Sequence, residues 1–535
     1  MRDAKQRVFV NTLFIYIIIQ PILELMWLNN GELNNIFGVT IPTFVRIIGI
    51  GVIGIEWLWI NRNSKKIFWL GGYCLVVGIY FVFHHFNCTR FNPAIGDDLY
   101  YSLVQEAFYL IRMMIPLCLI VFVQSVANIQ EFIRKVLLSI TLLTSSLVII
   151  PNLFGVSFGA YTNERLSLTI VDWFLKPEQC TYLYTASKGF FHRSIISTVL
   201  VMILPYVISL FFKTGKLFFL LVVCYQGIAM LSFGTKAASL SVIICMLLML
   251  LCYVFYCVLR KKYSTMLIRF ILGFMVLVLF IGVYSKSPCQ QRLTFEEQFY
   301  EIRDNEVIDN ENVDTEEVMT DNDIISNEVA SNNASDNIHI PNKVIDVRLE
   351  NIDNSNPNEI IEYFEAHKGE LSITLDFLEG KYGYKVDPVF WKEFVENTVP
   401  SERMQNRFVE EEILKRIVKQ NKNLWDKWWG IGYTRTSSVY NLEKDFIYQY
   451  YSMGIVGVIL LLGPYLIILL YGIIKIICNM KNSTLEQCSF VLGLGLTFFV
   501  AYFSGNMMES LGITIIIGCI EGYFLKEMLL VGDKR

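Results

Sequence analysis

Long apolar runs recur from one end of this sequence to the other, and they constrain its fold more than any other feature. The hydrocarbon core of a bilayer is about 30 Å thick and takes roughly 20 helical residues to cross. Twelve stretches are candidate spans: about 8–28, 38–60, 67–86, 105–126, 136–155, 191–213, 216–233, 239–259, 267–286, 447–477, 487–505 and 510–526. Of the 535 residues, 54% are hydrophobic and only 18% charged, so lipid must solvate most of the surface. The expected fold is an all-α polytopic membrane helix bundle.

The basic residues orient it. With the N-terminus in the cytoplasm, Lys and Arg gather in alternate short segments, as at Arg2, Lys5 and Arg7, Arg62, Lys65 and Lys66, and Arg260, Lys261 and Lys262. The intervening short loops 29–37 and 505–509 carry almost none. The positive-inside bias then puts both termini in the cytoplasm. The first apolar stretch is interrupted only by Pro21 and Glu24 and lacks a small-residue cleavage site, so it reads as a retained span.

On this reading residues 1–286 form nine spans, 287–446 an extracytoplasmic loop, and 447–535 three more spans. The loop has two parts. Residues 295–358 are rich in Asp, Glu and Asn, a composition that buries too little surface to offset chain entropy and reads as disordered. In 359–446, Trp391, Phe394, Phe408, Ile413 and Ile417 recur at helical spacing and could line one apolar face. The twelve cysteines are scattered, and most fall inside apolar runs, where Cys acts as a small hydrophobe. Cys88, Cys180 and Cys289 lie outside the spans, and their spacing fixes no pairing.

Three constellations carry charge where it is costly. Glu24, Arg46, Glu56, Glu106 and Arg112 fall within or at the edges of early spans, so each must face the protein interior, a wet cavity or a partner. They fit either buried Glu–Arg pairs that hold helices together or an outward cavity that binds anions through Arg46 and Arg112. The second is Gly189-Phe190-Phe191-His192-Arg193 with the turn Gly234-Thr235-Lys236. There, cations on the outer side serve either snorkelling or phosphate binding. The third closes the loop: Arg403, Arg407, Trp425, Trp428, Trp429, Gly430, Gly432, Glu443, Asp445, Gly454 and Gly457. Glu443 and Asp445 suit a helix N-terminus. They equally suit a general base at the membrane surface.

The order of these motifs resembles the O-antigen ligase and O-antigen polymerase (Wzy-like) family of bacterial envelope glycosyltransferases, over nearly the whole chain. About a dozen spans with a long late extracytoplasmic loop form that family's plan, here a GT-C-like bundle with the loop between spans nine and ten. Lys236 stands where the family carries Arg, and no His follows His367 to serve as the ligases' pre-span His. The resemblance implies a polymerase that joins polyprenyl-diphosphate-linked repeat units into a surface polysaccharide at the outer face of the cytoplasmic membrane. Glu443 or Asp445 would be the base. Arg407, Arg403, Lys236, Arg193 and His192 would contact substrate or diphosphate, and Arg112 and Arg46 would line the cavity. The implied partners are the glycan donor and acceptor and membrane lipid, with a flippase and a chain-length regulator as candidates, and no nucleic acid. No metal or other cofactor is expected, since no His/Cys cluster is present, no DxD-type motif stands in a sensible place, and Asp97-Asp98 is adjacent and lone. An O-antigen-type ligase, a lipid-linked oligosaccharide flippase and a non-catalytic receptor are the competing readings. The absence of an internal repeat counts against the flippase.

Overall fold

A computed structural model describes residues 2–29, 35–36, 39–62, 64–92, 95, 99–162, 164–261, 266–297, 352, 356–439, 442–503 and 505–532. Almost all of the acidic 295–358 stretch lies outside the described residues. Among the described residues, nine helices of 16 residues or more precede it: α1 Arg2–Ile18, α2 Ile41–Asn61, α3 Lys65–Cys88, α4 Leu103–Val123, α5 Ile129–Leu153, α6 Ser197–Thr214, α7 Leu217–Ser232, α8 Lys236–Arg260 and α9 Met266–Tyr284. The insert contributes α10 Pro357–His367, α11 Pro388–Asn397 and α12 Asn406–Asn421. The chain closes with α13 Asp445–Leu461, α14 Gly463–Cys478, α15 Leu485–Phe503 and α16 Leu511–Gly532. Apart from isolated bridges, strand pairing among the described residues is limited to two small antiparallel two-stranded sheets, 35–36 with 39–40 and 158–159 with 187–189.

Local chemistry sets several helix starts. Ser64, Ser102 and Thr235 accept the backbone N–H of Lys66, Gln105 and Ala238, so α3, α4 and α8 begin with donors capped. Gly215, at φ +70°, ends α6 in the left-handed conformation that glycine allows. Helix α6 is the hub of the bundle, buried along almost its whole length and packed against α7, α8 and α15.

The twelve expected spans each meet a helix, but only eight described helices are long and apolar enough to cross a membrane alone, or nine counting one bent pair. The reasons are local. After α1 the helix is interrupted at Ile19 and again at Glu24, and Leu25 and Met26 pair with residues 190–191, Met26 N–H donating to the Phe190 carbonyl at 3.0 Å. Helix α7 has only 16 residues, and α16 carries Glu521, Lys526 and Glu527. The stretch read as one span over 447–477 is α13 and α14, bent by 43°. Pro464 has no N–H for the carbonyl of Leu460, and the Tyr73 hydroxyl donates to that oxygen instead.

The insert has its own core, in which Ile360, Phe364, Tyr382, Trp391, Ile413 and Ile417 are buried together with Ile95 and Leu99 from the loop after α3. Its helices are short, interrupted at Lys368–Gly369 and at Thr398–Val399 just before Pro400. At its centre Asp387 accepts from the Tyr382 hydroxyl, Arg416, Gln420 and the Phe390 N–H.

Residues 426–436 fasten this unit to the membrane helices. Asn87 of α3 donates to Asp426 at 2.9 Å and to the Gly430 carbonyl at 2.8 Å. Glu106 of α4 accepts both the N–H and the hydroxyl of Thr434, at 2.7 and 2.8 Å. Ile431 and Gly432 donate to the carbonyls of Tyr451 and Ser452. This contact is what the glycines permit. Gly430 (φ +76°) and Gly454 (φ +69°) lie so close to opposing backbone that a Cβ on either would sit under 2.5 Å from it.

Candidate functional site

Seven of the nine residues singled out from the sequence gather on one strip, the connection between α15 and α16 and the first turn after it, at the insert end of the bundle. Asp445, the first residue of α13, is fully buried and accepts the N–H groups of Met507 and Met508 at 2.8 and 3.1 Å. Beside it, Lys444 pairs with Gly505 in a short parallel bridge. Together they pin the strip.

Arg407 of α12 donates to the Phe503 carbonyl at 3.2 Å and forms an ion pair with Glu443 at 2.5 Å. Both side chains are largely exposed. Arg112 of α4 donates to the Glu509 carbonyl at 2.8 Å, and its Nε is buried without a partner. Arg46 of α2 is buried against Glu24 at 2.5 Å and Gln20 at 2.8 Å, with Gly512 packed on the pair. The backbone N–H of His192 donates to the Glu24 carbonyl, and the exposed Arg193 lies within electrostatic reach of Glu509. Burial, with Arg193 and Lys188 nearby, pushes His192 below the usual imidazole range, so the ring is neutral at physiological pH.

Two expected residues lie elsewhere. Arg403 is buried inside the insert, where it donates to the carbonyls of Thr398 and Leu371. Lys236 caps a neighbouring cluster and pairs with Glu296 at 2.7 Å, while Arg292 holds the other Glu296 oxygen and stacks over Tyr161. Burial alone would raise the Glu296 carboxyl, but these two cations hold it below its ordinary range. Tyr161 also donates to the Gly234 carbonyl, so this cluster is built around the turn that carries Lys236.

The sequence reading missed Glu509, Tyr109, Gln449 and Glu410. Glu509 is half-buried and accepts the Tyr109 hydroxyl at 3.0 Å; Tyr109 stacks on Tyr433 with centroids 3.8 Å apart. Burial raises the Glu509 carboxyl, with Arg112 and the Tyr109 hydroxyl opposing it. Glu410, one turn after Arg407, is pushed up to about 7 by burial and by the charge of Glu443. One signal for Glu509 was available: it is the single charged residue between Glu486 and Glu521.

An apolar cavity of about 370 Å³ opens between α2, α3 and α4, lined by Ile50, Val77, Leu110, Met114, Cys118 and Phe122. It adjoins the helix that carries Tyr109 and Arg112. Among the described residues no group of three His, Cys, Asp or Glu side chains is arranged to hold a metal ion, and Cys88, Cys180 and Cys289 are free thiols. Chemically, the strip offers guanidinium groups for an anion beside carboxylates for a proton, next to an apolar recess.

Comparison with known proteins adds one match. The family model described as "O-antigen ligase like membrane protein" covers residues 6–530. No curated protein and no solved structure matches.

Proposed function

The chain belongs to the O-antigen ligase like membrane protein family, a multi-pass membrane family of glycan processing, and from that premise we propose that it is a polysaccharide polymerase. It joins polyprenyl-diphosphate-linked repeat units at the outer face of the bacterial cytoplasmic membrane, with both termini inside and the insert outside. The observation that carries this reading is the convergence of Arg112, Arg193 and Arg407 with carboxylates on one strip. Nucleotide sugars are absent outside the cytoplasm, so the donor must bring its own leaving group.

In the reaction an acceptor hydroxyl oxygen attacks the anomeric carbon of the donor. The bond from that carbon to the diphosphate oxygen breaks, its electron pair leaves with the lipid diphosphate, and the hydroxyl proton passes to a carboxylate. Arginines suit the leaving group because charge-assisted, forked hydrogen bonds to phosphate are strong and strengthen as charge develops. With that charge supplied by side chains, the reaction needs no metal. The apolar cavity beside α4 suits part of a prenyl chain, which would bring the diphosphate to the strip. A flippase would deliver the units and a chain-length regulator would end elongation.

Deletion tests the reading. Cells without the protein should accumulate single lipid-linked units on the outer leaflet and lose long polysaccharide. Chains of normal length that fail to reach their surface anchor would mean a ligase, and units trapped inside would mean a flippase.

A further inference from the structure

We propose that Glu509 is the group that takes the acceptor's proton, and that Asp445 is the positioning residue for its loop, while Arg112 both holds its carbonyl and meets the leaving diphosphate; this rests on the glycosyl-transfer reading above. A general base needs an oxygen that a substrate hydroxyl can reach. Among the described residues, the carboxylates nearest the strip are otherwise engaged. Glu443 is paired with Arg407, Glu24 with Arg46, and Glu106 with Thr434 and His84. Asp445 has both oxygens on backbone N–H groups, and the free oxygen of Glu410 is buried from any approach.

Glu509 differs. It stands half-buried between Arg112 and Arg193, and its side-chain partners are two neutral groups, the Tyr109 hydroxyl on Oε1 and the Gln449 amide. Its backbone is fixed on both sides. Met507 and Met508 are held by Asp445, and the Glu509 carbonyl by Arg112. A base on a short loop is useful only if the loop cannot drift, because misplacement by about 1 Å can lower the rate by 100-fold. Burial favours the protonated form of this carboxyl, which makes it a stronger proton acceptor than an exposed Glu.

In the step, the acceptor hydroxyl gives its proton to Oε2 as its oxygen bonds to the anomeric carbon. The diphosphate departs with the bonding pair toward Arg112 and Arg193. The proton then leaves Glu509 for solvent before the next cycle.

The test uses the full chain in liposomes, with lipid-linked units extracted from cells that lack it. Glu509→Gln should slow elongation by about 100-fold or more while retaining substrate and thermal midpoint. Glu509→Asp should recover part of the rate. Tyr109→Phe removes a donor that favours the carboxylate, so the acidic limb of the rate profile should move to higher pH. Asp445→Asn should lower turnover and leave that limb in place. Wild-type elongation by Glu509→Gln, or a limb unmoved in Tyr109→Phe, would overturn the assignment while leaving the polymerase reading intact. No elongation by the wild-type chain would overturn that reading itself.

Discussion

Asp387 in the insert and Glu509 at the end of the membrane bundle are both carboxylates beside an arginine, and their surroundings are opposite. Asp387 receives a tyrosine hydroxyl, a guanidinium, an amide and a backbone N–H, so no lone pair is left over. Glu509 has only a tyrosine hydroxyl and the Gln449 amide, and the neighbouring Arg112 grips its carbonyl while Nε stays unpartnered. Saturated hydrogen bonding marks a group that holds the fold. Leftover capacity, next to a surface that substrate can reach, marks one that exchanges partners.

The largest expected effect tests the saturated side. Asp387→Ala leaves Arg416 and Tyr382 facing an uncompensated gap and should destabilise the insert by about 3–5 kcal/mol. This should appear as a lowered thermal midpoint and rapid proteolysis in α10–α12. An unchanged midpoint would remove the distinction.

The two membrane arginines sharpen it next. Arg112→Ala should reduce elongation by about 10²–10³-fold with little thermal shift. Arg46→Ala leaves Glu24 buried without its partner and should act chiefly on stability. If both variants lose stability equally, Arg112 is scaffold as well.

Glu410 gives a smaller, pH-dependent effect. Its folded-state pKa lies above the unfolded value, at about 7, so its contribution is fully present below about pH 4.5 and fades as pH rises through 7. The thermal midpoint of the protein should therefore fall between pH 5 and 8, and Glu410→Gln should flatten that slope. The weakest effect belongs to Arg407 and Glu443. Their exposed pair should show a coupling of under about 1 kcal/mol in a double-mutant cycle on stability, even though Arg407→Ala lowers activity.

The fold was legible because apolar length decides it. Every expected span meets a helix, and errors arose where a local break intervened, at Ile19 and Glu24 and at Pro464. The gathering of Arg46, Arg112, His192, Arg193, Arg407, Glu443 and Asp445 was partly legible from charges placed where lipid penalises them. Arg403 and Lys236 were not separable from these in sequence, because a buried capping arginine and a phosphate-binding one look alike until their acceptors are seen. Glu509 was overlooked for a related reason. In a short loop one acidic residue reads as ordinary solvation, and only the approach of Tyr109 and Arg112 from a helix about 400 positions earlier reveals otherwise.

The opposed backbones at Gly430 and Gly454 have a consequence for modularity. The insert is not a cassette. Its last loop and the opening turns of α13 share hydrogen bonds that need glycine on both sides, so the heritable unit is the insert together with the helix that follows it. A chimera cut at residue 446 would pair a foreign insert with a helix end shaped for another loop. One cut after Leu461, where the chain already bends at Pro464, would carry the seam intact.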